Sequence, residues 1–231
     1  MLLASKLHKE MEKYLIPEEF IGKTITRQKM SRILNKVLKP LGGTVNVIVD
    51  TGVSERLRPH SDNVCYISGW FDDRENVIDP LHVIVHTTQK GNHVTFTKAS
   101  FNRFLFRFSR VAQHEFIHRI QFSHYNADDK RVYRVSYSPL IGKRRKAWIE
   151  YLNDWWEVET HSHDIAMEIA WKYPTKKVET VLKHIDKYRG LSSYNSYKWA
   201  FEGLEWFDLK KTLLKKVLKW SPAVRLPKLV T

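Results

Sequence analysis

Five residues near the middle of the chain, His114-Glu115-Phe116-Ile117-His118, combine types and spacing that can do chemistry. Residues four apart on a helix share a face, so the imidazoles at 114 and 118 can point at one ion. Glu115, one residue along, can then reach a water beside that ion. The chemistry would be metal-assisted hydrolysis, in which neutral imidazoles hold a cation such as Zn2+ and the carboxylate takes the water's proton. The match is only five residues long, so the rest of the chain has to complete the set.

Two histidines and a water do not fill a zinc site, and a third protein ligand is expected. Residues 151–166, YLNDWWEVETHSHDIA, are the obvious source. Asp154 is a good N-cap, and the pattern stays helical until Pro174. Glu157 and Glu159 compete for the role. At about 100° per residue, Glu159 shares a side with Leu152, Trp155, Trp156, Ser162, His163 and Ala166, whereas Glu157 falls with Glu150, Asp164 and Glu168. The first side is the more apolar, so Glu159 is expected to face inward as the ligand. Ser162 and Ala166 would let the two helices approach closely. His163, one turn beyond Glu159, would serve as a hydrogen-bond partner to the ligands.

The pair of motifs, His114-Glu115-x-x-His118 and Glu159-x-x-Ser162-His163, resembles the gluzincin branch of zinc metallopeptidases. The stretch from Asp154 to Ala166, with Gln121 just after the first motif, is also similar to small metallopeptidases of tailed phages and bacteria. The likeness spans residues 81–171 and departs from the family's usual acidic residue at His163. It implies a zincin-like fold in which His114, His118 and Glu159 hold Zn2+ and Glu115 is the general base. It also implies a Tyr or His that steadies the oxyanion, for which Tyr194, Tyr197, His161 and His184 are candidates. If the chain is phage-encoded, a virion-associated location follows.

The elements that must position these groups read as an α+β fold: a small, mostly antiparallel sheet packed on the active-site helix, with a helical C-terminal half. Two helical stripes come first, Leu3-Leu7-Met11-Tyr14 and Met30-Ile33-Leu34-Val37-Leu38; Thr24 or Thr26 caps the second, and Pro40 with Gly42-Gly43 stops it. Residues 44–49, 64–70, 81–88 and 93–97 read as strands, separated by a loop around Arg56, Arg58 and Pro59 and a turn at 89–92. The third strand is placed to align an extended substrate by edge pairing, and its His82 and His86 read as exposed edge histidines. Ser100 would cap the long helix of residues 100–125, whose apolar stripe is too wide for a surface helix. Residues 126–147 look irregular, with a hairpin arm at 132–137 and a basic run at 142–146. The expected divisions are a helical segment at 1–43, a metal-binding core at 44–174, packed helices at 175–220 and an extended, mobile tail at 221–231.

Composition bounds the function. One cysteine, Cys65, excludes a disulfide framework and a four-cysteine zinc site. No apolar run reaches the roughly 18 residues of a membrane span, and the opening residues have too short an apolar core for a secretory signal. A soluble, cytoplasmic protein is expected. The net charge of +14 favours an anionic partner. Beside a zinc-dependent peptidase acting on protein or peptide, the sequence therefore supports two further readings. One is a non-enzymatic nucleic-acid-binding or virion-associated protein that keeps a zincin fold. The other is a peptidase held on a membrane surface by the lysine-rich helix of residues 209–220.

Overall fold

The computed structural model describes residues 2–49, 65–72, 80–87, 93–124 and 141–230. The loop around Arg56, Arg58 and Pro59, the turn at 89–92 and the hairpin arm at 132–137 lie outside them. The described residues form an α+β fold, and the chain divides into two compact units, 1–119 with 225–231, and 120–224.

In the first unit, helix α1 (Leu2–Tyr14) buries Leu7 and Met11. Pro17 opens the short helix α2 (Pro17–Phe20), at a position whose N–H no helix needs. Strand β1 (Thr24–Thr26) ends on the residue that caps helix α3 (Arg27–Leu38): the Thr26 hydroxyl accepts from the Lys29 amide at 3.1 Å. A 3-10 turn through Pro40 then stops at Gly42, whose φ of 74° is in the left-handed region that favours glycine. Strands β2 (Gly43–Val49), β3 (Cys65–Phe71), β4 (Leu81–Thr87) and β5 (His93–Thr95) lead into the long helix α4 (Lys98–His124).

The larger sheet has the order β2-β4-β3 and is mixed: β4 lies parallel to β2 and antiparallel to β3. β5 pairs with β1 in a separate two-stranded ribbon. β4 alternates strictly, burying Leu81, Val83, Val85 and Thr87, as expected for a strand with one face on the core. The third strand of the sequence is thus central, hydrogen-bonded on both sides, and the edge-pairing role expected of it has no free edge to use. His82 and His86 accordingly are half-buried residues of a central strand, not of an edge. The outer edge of β2 is blunted at Val45: Asn35 accepts from its amide at 2.9 Å and donates to its carbonyl at 2.8 Å. The helices of residues 1–43 share one core with the sheet and α4, through Met30, Leu34, Phe20, Phe96, Phe101 and Phe108. The C-terminal tail belongs to this unit as well. It is extended but tied down, for Asn102 donates to the Val230 carbonyl at 3.0 Å and accepts from its amide at 2.9 Å.

The second unit is helical. It holds the last turn of α4, then α5 (Ile141–Asn153), α6 (Trp155–Lys172), α7 (Val178–Lys183), α8 (Ser192–Ala200) and α9 (Gly203–Trp220). The basic run at 142–146, expected in an irregular stretch, lies in the first turns of α5; Lys and Arg are good helix formers. Asp154 caps α6 as expected, accepting from the Trp156 amide at 2.7 Å. Leu152, Ile165, Ile169, Tyr197, Leu213 and Val217 form the core. Among the described residues no helix is long and apolar enough to cross a membrane.

Candidate metal centre

Helix α4 carries the first half of the site. Phe101, Phe104, Phe108, Ala112 and Phe116 anchor it in the first unit's core, and that packing fixes the rotation of the face bearing His114 and His118. Their Nε2 atoms lie 3.2 Å apart. Two nitrogens bound at 2.0–2.1 Å to a tetrahedral ion stand about 3.3 Å from each other, so the pair fits a shared metal. His114 and Glu115 are both buried, and burial makes each costly unless it is partnered.

Glu115 is positioned by a residue that periodicity does not single out. Arg107 donates to the Cys65 carbonyl at 3.2 Å. A Cβ added at Gly69 would stand 2.8 Å from Val111 Cγ1 and 3.0 Å from Glu115 Oε1. From Arg107 to Glu115 the helix rises about 12 Å, and from Cys65 to Gly69 the strand advances about 13 Å. α4 and β3 therefore run side by side in the same sense, and the missing side chain at Gly69 is the gap in which the Glu115 carboxylate lies. A glycine inside an otherwise strand-like run, Cys65-Tyr66-Ile67-Ser68-Gly69-Trp70-Phe71, was the available sign of a close approach. β3 is an edge of its sheet, with β4 on one side and no strand on the other among the described residues.

Helix α6 carries carboxylates on two faces. On one, Glu157, His161 and Asp164 follow at helical spacing, with His161 Nε2 3.6 Å from Glu157 Oε2 and Nδ1 3.6 Å from Asp164 Oδ2. The His161 ring meets the Tyr197 ring edge-on, centroids 5.7 Å apart. Burial, and then the negative fields of Glu157, Asp164 and Asp154, hold the Tyr197 phenol well above its ordinary pKa. It is a neutral donor, and its buried hydroxyl has no hydrogen-bond partner among the described residues. In the last turn of α4, Gln121 donates to the Trp156 carbonyl at 3.1 Å.

The other face of α6 packs on α9. Glu159 is ion-paired with Lys216, and Lys219 lies 3.8 Å from its second oxygen. Ser162 points toward the Leu213 carbonyl at 3.4 Å, and the His163 ring packs edge-on against Trp220 at 5.1 Å. Ser162, one of the small residues of α6, thus faces α9. Among the described residues, the His and acidic side chains that could serve as metal ligands are His114 and His118 in the first unit and Glu157, His161 and Asp164 in the second.

Of the four residues considered for the oxyanion, Tyr197 and His161 stand beside Glu157. Tyr194 donates instead to Asp186 at 2.9 Å, and His184 is exposed at the end of α7. No family model matches the chain, and no curated protein or solved structure matches it.

Proposed function

We propose that the chain is a metal-dependent hydrolase of peptide bonds, with His114, His118 and Glu157 as ligands and Glu115 as general base. One observation carries the reading: two imidazoles one helical turn apart, with the spacing of co-ligands, and a buried carboxylate, Glu115, directly after the first of them. A divalent ion with this donor set acts as a Lewis acid toward a carbonyl and acidifies water; two imidazoles and a carboxylate suit zinc. Glu115, wedged against the backbone at Gly69, is held in a fixed place to accept a proton and later return it to a leaving amine. Tyr197 stays protonated and is the donor for a developing oxyanion. An extended peptide pairing along the edge of β3 would pass Gly69, and so pass Glu115.

Metal analysis of the purified full chain tests this. About one transition-metal ion per chain is expected, as is hydrolysis of an unfolded protein substrate. Glu115→Gln should keep the ion and lose at least about 100-fold in rate. If the chain takes up no transition metal, or if His114→Ala leaves hydrolysis intact, the proposal fails.

A further inference from the structure

The outer face of the three-stranded sheet bears an exposed pair of aromatic rings that no hydrolytic role requires. Register places Trp70, His82 and Thr44 in one row across it, and Tyr66, His86 and Ile48 in another. The Trp70 ring stacks on His82, centroids 4.8 Å apart and planes within 16°, while His82 Nδ1 is hydrogen-bonded to the Thr44 hydroxyl at 3.0 Å. Tyr66 tilts over His86 at 5.4 Å, whose Nε2 is held by the Ser68 hydroxyl at 3.0 Å. Both aromatic rings are buttressed from one side, yet Tyr66 remains 46% and Trp70 45% exposed. Four residues apart on one strand, they stand about 13 Å from each other. An exposed sheet face ordinarily carries polar side chains.

A cation reaches the adjoining edge. Arg107 of α4, which runs beside β3, donates to the Cys65 carbonyl at 3.2 Å. A phosphate backbone is the suitable neighbour for that edge, in a protein whose net charge is +14.

We propose that this sheet face binds single-stranded nucleic acid, with Tyr66 and Trp70 stacking bases and Arg107 at the adjoining edge meeting the phosphate backbone. Open aromatic faces suit unstacked bases and are of no use to a paired duplex, whose bases are already stacked. An acidic protein would engage the arginine without needing two flat rings. The inference is independent of the metal reading.

Fluorescence anisotropy of the full chain with labelled oligo(dT) of about 20 nucleotides, and with a duplex of equal length, is the test. Expected is a preference for the single strand, weakening steeply between about 50 and 200 mM salt. Trp70→Ala and Tyr66→Ala should each weaken binding roughly ten-fold, with Trp70→Phe largely retaining it. Arg107→Gln should flatten the salt dependence. Glu115→Gln should bind as the parent does, which separates this result from any failure of hydrolysis. Tyr66 and Trp70 lie in different rows, so either variant that keeps its far-UV circular dichroism decides the matter. Parental affinity in a folded Tyr66→Ala or Trp70→Ala protein overturns the proposal, and so does equal binding of duplex and single strand.

Discussion

The two faces of α6 put the same side chain to opposite uses. Glu159 and Glu157 lie two residues apart, each within reach of a nitrogen base. Glu159 meets lysines of α9, flexible cations that neutralise a carboxylate and leave nothing for an ion to bind. Glu157 meets His161, an imidazole neutral in its basic form. What separates the ion pair from the proposed metal ligand is the chemistry of the neighbours, not depth, since both carboxylates are largely buried, with side-chain exposures of 14% and 13%.

Removing each carboxylate in turn breaks the comparison most directly. Glu157→Gln should lower metal affinity by about 100-fold or more, as read by competition with a chelator. Glu159→Gln should leave it within about two-fold and cost up to about 1 kcal/mol in thermal unfolding, the scale of an ordinary ion pair. The reverse pattern would make Glu159 the ligand.

The face assignment from sequence placed Leu152, Ser162, His163 and Ala166 correctly on a buried side, but the opposite side is buried too. The helical wheel took Trp155 as a marker of the buried side, but Trp155 is 48% exposed while Asp164 and Glu168 are 5% and 1% exposed. Glu168 is buried because Ser192 and Ser193, at the start of α8, donate to it, an arrangement invisible to hydrophobic periodicity. Local signals were legible where one residue decides: Thr26 and Asp154 as caps, the stop after Pro40, and the alternation of β4. Pairing was not. Nothing in residues 93–95 says that they join β1, nor that β4 inserts between β2 and β3, because strand order is settled by non-local packing. The helix bearing His114 and His118 was legible in residue type and spacing, while its support at Gly69 required the strand beside it.

That support can be tested without touching a ligand or the base. An added methyl at Gly69 meets Val111 and Glu115 at 2.8–3.0 Å, so one of them must move. Gly69→Ala should cost about 1–3 kcal/mol of stability as overpacking. It should reduce hydrolysis by about 100-fold, the effect of misplacing a reacting group by about 1 Å. The bound metal should be unchanged, because the atoms nearest the added methyl belong to Val111 and Glu115. Loss of the ion together with the activity would mean that β3 braces the ligands and not the base.

A third carboxylate in the second unit sharpens the ion-pair side of the comparison, with the smallest effect expected. Asp186 accepts from Lys210 at 2.6 Å, Lys198 at 2.9 Å and the Tyr194 hydroxyl at 2.9 Å. The lysines, Lys210 before Lys198, hold its carboxyl well below the usual carboxylate range. A folded-state value below the unfolded one means that the unfolded chain binds the proton first. The contribution is therefore complete above about pH 4 and fades as pH falls through the folded-state value. Its side chain is 45% exposed, so solvent screening leaves only about 0.5 kcal/mol at physiological salt. Asp186→Asn should lower the unfolding free energy by that amount at pH 7, with little difference from the parent at pH 2 and no change in metal content. A drop of several kcal/mol would instead show that lysine-paired carboxylates in this unit brace the packing around Tyr194. Glu159 would then need the same reappraisal.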